Sequence, residues 1–239
     1  MFHSLPNREP DASTQPRRPW AALVDLLAFG FFFLAMLLAI TPLARLPVIY
    51  AIPLQALFNV VLVGFIAGWI RIKRRRSFTE FIHFFRTHTF STRSLIILGA
   101  TSALSVLLIS AFLPSSGQTP LEKLLTSRSA ILMFAVFGVA VAPLLEEVIF
   151  RGFVFQVLWE IGGSRVAIIA TAALFALLHA GQLAGNWGSV VLIFLVGCVL
   201  SLVRHRSNSI IPSFIVHTTY NAVLFVLFAL SSMVQKVAK

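Results

Sequence analysis

The chain has 239 residues, of which 58% are hydrophobic and only 11% are charged. Soluble domains carry about 25% charged residues, so this composition excludes an ordinary soluble protein and predicts an all-α, polytopic membrane helix bundle. The net charge of +11 does not indicate a nucleic-acid partner, because the cations are grouped at the ends of apolar segments.

Taken in chain order, the apolar segments predict about seven transmembrane helices in a single membrane-embedded domain, residues 21–239. A helix needs about 20 apolar residues to cross a hydrocarbon layer of roughly 30 Å. Seven segments meet this requirement: 21–40, 48–70, 94–113, 129–159, 166–184, 187–203 and 209–231. Residues 1–20 hold four prolines and no apolar core, which predicts a disordered cytoplasmic leader.

Two basic connections set the expected orientation in the membrane. "RIKRRR" (71–76) follows the second span, and "RHR" (204–206) separates the sixth span from the seventh. The positive-inside rule predicts that both face the cytoplasm, where anionic lipid headgroups are expected partners. The small size and the lack of an organelle signal favour a multi-pass protein of a prokaryotic cytoplasmic (inner) membrane.

Polar side chains inside the spans are few, and most of them lie in the C-terminal half. A charged group at the centre of a hydrocarbon layer costs about 2.5–3.5 kcal/mol, so it is expected to face a partner or a wet cavity. The candidates are Glu146, Glu147 and Arg151 in the fourth span, His179 in the fifth, and His217 and Asn221 in the seventh. Asp25, near the start of the first span, is expected at the level of the lipid headgroups.

Helical spacing sorts these candidates into pairs. Positions four apart share a helix face, so Glu147 can pair with Arg151, and His217 projects together with Asn221. Glu146 lies about 100° round the helix from Glu147. Each pair alone is also compatible with a role in helix packing. Together they supply a general base, imidazoles and a hydrogen-bond donor, which are the parts of a hydrolytic site.

Three motifs in this order resemble a known family. "EEVIFR" (146–151), "FALLH" (175–179) and "HTTYN" (217–221) are similar to the motifs of the CAAX proteases and bacteriocin-processing enzymes, also called the Abi family. Members are intramembrane endopeptidases and include the type II CAAX prenyl endopeptidases. The resemblance covers a protease-like core at about residues 125–230, and the N-terminal half shows none.

The resemblance implies a role for each motif residue. Glu146 and His179 are expected to activate a water molecule, and His217 with Asn221 to stabilise the oxyanion. Glu147 and Arg151 are expected to form a supporting ion pair. The implied substrate is a peptide or protein, which is lipidated for some members of the family.

The sequence does not decide whether a metal ion takes part in the hydrolysis. Glu146, His179 and His217 are candidate zinc ligands that would leave one position open for water. The resemblance covers both descriptions, a glutamate-dependent and a metal-dependent peptidase. The helical zinc-protease motif His-Glu-x-x-His is absent from the chain.

Two alternatives use the same buried polar residues without peptide hydrolysis. A transporter or ion-handling protein also places Glu, His and Arg inside the membrane. Many transporters have two related halves, however, whereas the first half of this chain repeats none of the polar motifs. A non-catalytic scaffold or a bacteriocin self-immunity factor on the same fold is the second alternative.

Overall fold

The computed structural model describes residues 19–41, 50–84, 90–113, 128–183 and 186–237. These residues form helices and connecting turns, with no strand among them, which confirms the all-α prediction. In chain order they are α1 (Pro19–Ile40), α2 (Ala51–Trp69), π1 (Ile70–Arg74), α3 (Phe78–Phe81), α4 (Thr92–Ser110), α5 (Arg128–Val136), π2 (Phe137–Val141), α6 (Ala142–Glu146), π3 (Glu147–Val154), α7 (Phe155–His179), α8 (Trp187–Ser207) and α9 (Ile210–Val237). The predicted leader lies outside the described residues, except for the two residues that begin α1.

The described chain contains 6 helical stretches that are long and apolar enough to cross a membrane. The longest, Ile131–His179, has 49 residues and would measure about 74 Å if it were straight, more than twice the hydrocarbon thickness. It is interrupted at Gly163, whose φ of 80° and ψ of −173° are adopted essentially by glycine alone. The parts before and after Gly163 correspond to the fourth and fifth predicted spans, so the structure fits the predicted bundle of about seven spans.

The helices pack around two apolar clusters. One joins α1, α2, π3 and α7, and the other joins α4, α8 and α9. Helix α8 comes close to α7 at Gly197, where an added Cβ would lie 3.1 Å from the Cα atom of Ala172. This close approach brings the main chain of α8 next to the polar residues of π3.

Asp25, which is expected at the level of the lipid headgroups, is covered by other side chains of the bundle. It is 1% exposed, and its carboxylate accepts hydrogen bonds from Trp69 Nε1 at 2.9 Å and from Arg74 Nε at 2.6 Å. Arg74 also donates to Glu160 at 2.9 Å. The Arg74 clamp, as we call these four side chains, joins α1, the end of α2 and the part of α7 just before Gly163.

Candidate active site

Glu146 and Glu147 lie at a change of helical pitch. Glu146 is the last residue of α6, and Glu147 is the first residue of π3. Because α6 is also preceded by π2, a π-helical segment lies on each side of it. Short π segments inside α-helices are frequent at functional sites. The two acids therefore occupy the most irregular part of the bundle.

The π segment before α6, π2, has a cause in the sequence. The amide of Ala142 donates to the carbonyl oxygen of Phe137, five residues back, and not to Gly138 as in an α-helix. The next residue, Pro143, has no N–H to donate. The Gly138 oxygen instead accepts a hydrogen bond from Asn221 Nδ2 at 2.8 Å. The predicted oxyanion donor therefore uses one of its two N–H groups to hold π2.

Glu147 and Arg151 form the predicted ion pair, and both side chains are fully buried. Arg151 Nη1 donates to Glu147 Oε1 at 3.0 Å, and Nη2 donates to the carbonyl oxygen of Gly197 at 3.3 Å. The guanidinium carbon also lies 4.5 Å from the centre of the Phe175 ring. Arg151 thus joins π3 to α7 and α8.

His217 lies between the two glutamates. Its Nδ1 is 2.9 Å from Glu147 Oε1, and its Nε2 is 3.7 Å from Glu146 Oε2. Since an ionised carboxylate can only accept, Nδ1 carries the proton in the contact with Glu147. The side chain of Glu146 is 21% exposed, against 0% for Glu147. Glu146 is therefore the acid that an incoming molecule can reach.

His179 and His217 both contact the ring of one phenylalanine, Phe175. The ring of Phe175 is 4.5 Å from that of His179 and 5.7 Å from that of His217, between ring centres. His179 Nδ1 is 2.7 Å from the Phe175 carbonyl oxygen, which can only accept. The neutral ring therefore has its proton on Nδ1 and its acceptor on Nε2.

The structure joins the predicted site residues to different extents. Glu146, Glu147 and Arg151 are linked to one another through His217 and the ion pair. Within the described part of the chain, Glu146 and His179 share no hydrogen bond or ion pair. Joint action of these two residues on one water molecule therefore remains a prediction.

The side chains do not fit the candidate zinc site. Catalytic zinc is held by three protein ligands that leave a fourth position for water. Among the described residues, no group of three or more His, Cys, Asp or Glu side chains is placed to hold a metal ion. Glu146 and His217 approach each other, but His179 does not complete the set.

The site lies nearer to the basic end of the bundle than to the other end. His217 is about 10 Å along the helix axis from Ile210, where α9 begins. Helix α8 ends beside this point with Arg204, His205 and Arg206 in its last turn. Along the axis of α9, the site is therefore closer to the basic end of the helix than to its C-terminal end.

The comparisons with known proteins concern the segment that carries the three motifs. Residues 128–223 match the family described as type II CAAX prenyl endopeptidase Rce1-like. This segment of the chain is similar to the Rce1-like family. All three motifs lie inside the match, so the similarity supports an endopeptidase in general, with a peptide substrate. No curated protein and no solved structure matches the chain.

One buried residue of the Rce1-like segment lies outside the three motifs. Arg204 is 2% exposed, and its Nε donates to the carbonyl oxygen of Arg151 at 3.0 Å. Its place in "RHR" (204–206) predicts a basic residue at the membrane edge, which fits the exposed Arg206 but not the buried Arg204. Helical periodicity could have indicated that Arg204 faces the site, because it follows Gly197 by two turns and so shares its face.

Proposed function

We propose that the protein is an intramembrane endopeptidase in which Glu146 and His179 activate the attacking water. The observation that carries the proposal is the position of His217 between Glu146 and Glu147. One acid is fixed in an ion pair, and the other faces the imidazole from a partly accessible position. A neighbouring pair of acids with such different surroundings is typical of a site in which only one of them reacts.

Each group has a defined task in the hydrolysis. Glu146 accepts a proton from water while the water oxygen attacks the carbonyl carbon of the scissile bond. Nε2 of His179, the acceptor of its neutral ring, orients the same water. The charge on the carbonyl oxygen is stabilised by the second N–H of Asn221 and by His217, which donates from Nε2 in its imidazolium form, where both ring nitrogens carry a proton. The C–N bond then breaks, and Glu146 returns its proton to the leaving amine.

Zinc is given no step in this proposal, because three ligands are not assembled among the described residues. We expect full peptidase activity after incubation with a strong chelator, and no stoichiometric zinc in the purified protein. Loss of activity that added zinc restores would show that the side chains rearrange around a metal. The chelated protein is compared with a mock-treated sample of the same preparation.

We infer that the substrate is a peptide or protein segment at the membrane of a prokaryotic cell, with a lipidated tail as the first class to test. An open apolar groove of about 420 Å³ lies between the start of α2 and the helix that leads into the site. Its lining includes Ile52, Ala56, Leu132, Met133, Val136 and Phe137. These side chains suit an acyl or isoprenoid chain, which supports this substrate class.

Peptide cleavage by purified protein tests the proposal. Matched peptides with and without an isoprenoid on cysteine are incubated with the detergent-solubilised protein in water enriched in heavy oxygen. We expect two fragments, with the heavy oxygen in the new carboxylate. A transporter, a scaffold or an immunity factor releases no fragments, so the absence of cleavage across both peptides would contradict the proposal.

A further inference from the structure

The π segment after α6, π3, also leaves a main-chain carbonyl without its usual donor. The amide of Phe155 donates to the carbonyl oxygen of Phe150, five residues back. In an α-helix it would donate to the oxygen of Arg151. That oxygen instead accepts the hydrogen bond from Arg204 Nε at 3.0 Å. Arg204 therefore supplies the hydrogen-bond donor that π3 lacks, as Asn221 does for π2.

The surroundings of Arg204 require the guanidinium group in particular. Besides the bond from Nε, its Nη1 donates to Asn208 Oδ1 at 3.4 Å, and its central carbon lies 5.4 Å from the centre of the Phe155 ring. Arginine offers several donors in a fixed planar fork, whereas lysine has one compact ammonium group. A lysine at position 204 could donate to the Arg151 oxygen or to Asn208, but not to both at once.

The bond to Arg151 fixes the rotation of the residues that carry the chemistry. A π segment holds one residue more than the same length of α-helix, and each residue turns the helix by about 100°. If the Arg151 oxygen recovered an amide donor, the extra residue would move along the helix and rotate Glu147 away from His217. The 2.9 Å contact between these two side chains would then be lost.

We propose that Arg204 is a positioning residue, which acts through the Arg151 carbonyl to keep Glu147 against His217 and so holds the His217 proton on Nδ1. The inference deepens the proposed function and rests on it for its kinetic consequence. The consequence for the His217 ring does not depend on whether any peptide is cleaved.

The kinetic test compares substitutions at two arginines of the same helix end. We expect Arg204→Met to lower kcat on the order of 10- to 100-fold with little change in KM, because the reacting groups are misplaced while the substrate surface is kept. Arg204→Lys should recover part of this loss. Arg206→Met is the matched control, since Arg206 is exposed on the other face of α8, and it should leave kcat unchanged.

The second readout follows the His217 ring by NMR of protein with isotope-labelled imidazole nitrogens, assigned by the loss of one signal in His217→Gln. At a pH at which the His217 ring is neutral, we expect a single tautomer in the wild type, with the proton on Nδ1. Arg204→Met should give a mixture of tautomers, Arg204→Lys an intermediate spectrum, and Arg206→Met the wild-type spectrum. A residue that only packs α8 against π3 would lower stability and leave the tautomer unchanged.

The outcomes separate the two proposals. A changed His217 spectrum in Arg204→Met supports the inference even if the wild type cleaves no peptide, in which case the proposed function alone fails. An unchanged spectrum, or an unchanged kcat in an active enzyme, overturns the inference. If Arg204→Met does not fold, Arg204→Lys decides, because it keeps the charge and one donor but should still change both readouts.

Discussion

At the scale of single residues, the environments of two adjacent acids separate their roles. Glu147 is sealed between Arg151 and His217, whereas Glu146 is 21% exposed and meets only the far nitrogen of the same imidazole. The sequence predicted the ion pair and the divergence of the two acids from spacing alone. It could not predict that His217 lies between them, because that depends on how α9 docks against π3.

The buried ion pair should matter for stability more than any exposed pair. We expect Glu147→Gln to lower the free energy of unfolding by about 3–5 kcal/mol, because it leaves the Arg151 guanidinium buried without its counter-charge. Unfolding by denaturant in mild detergent measures this loss. Glu80→Gln is the control: its carboxylate forms an exposed pair with Arg76, so its loss should change stability by less than about 1 kcal/mol. Equal stability of both variants would contradict the buried role of Glu147.

At the scale of helices, the two π segments that flank α6, π2 and π3, determine the shape of the site. The sequence indicated a distortion near Pro143 but gave no sign that it would be a π segment on each side of α6. The reason is physical: i→i+5 pairing leaves carbonyl oxygens that need outside donors. Here those donors come from Asn221 and Arg204, on two other helices.

Pro143 links this irregularity to function. We expect Pro143→Ala to leave the protein as stable as the wild type or more stable, because the new amide can restore a main-chain hydrogen bond. The same change should lower kcat by about 10-fold or more, since π2 no longer needs Asn221 and α6 can rotate.

Stability and kcat are measured on the same preparations for this prediction. Pro19→Ala is the control, because Pro19 is the exposed first residue of α1, where a missing N–H costs nothing. It should change neither quantity. A Pro143→Ala protein with normal kcat would show that the π2 geometry is not needed for catalysis.

At the scale of the whole molecule, the Arg74 clamp joins the N-terminal helices to the protease core. Arg74 binds Asp25 and Glu160, which lie far from it in the sequence, and Trp69 donates to the same Asp25 carboxylate. The sequence assigned Asp25 to the headgroup region and Arg74 to the basic edge. Nothing in either segment indicated its partner, because the contacts join three separate helical elements.

Removing the arginine of the clamp should destabilise the bundle. We expect Arg74→Met to lower the free energy of unfolding by about 3 kcal/mol, because two carboxylates that are 2% and 12% exposed lose their cation. Arg71→Met, in the same π segment but exposed, should have no measurable effect. Thermal unfolding in detergent distinguishes the two, and an Arg74→Met protein with wild-type stability would reduce the clamp to an incidental contact.

The sequence predicted the class of fold, the approximate spans and the three helices that meet at the site, because apolar length and helical spacing are local properties. It missed Arg204, because a basic residue at a span end has the same pattern whether it faces lipid headgroups or a neighbouring helix. It also left the pairing of His179 undecided. That pairing is set by the rotation of α7 beyond Gly163.

The most direct test of the account is the effect of Glu146→Gln on peptide cleavage and on stability in the same preparation. The account predicts a loss of kcat of about 100- to 10,000-fold, because the amide cannot accept the proton of the attacking water. The free energy of unfolding should stay within about 1 kcal/mol of the wild type, since Glu146 lies outside the buried ion pair. A folded Glu146→Gln protein that cleaves the peptide at the wild-type rate would contradict the account.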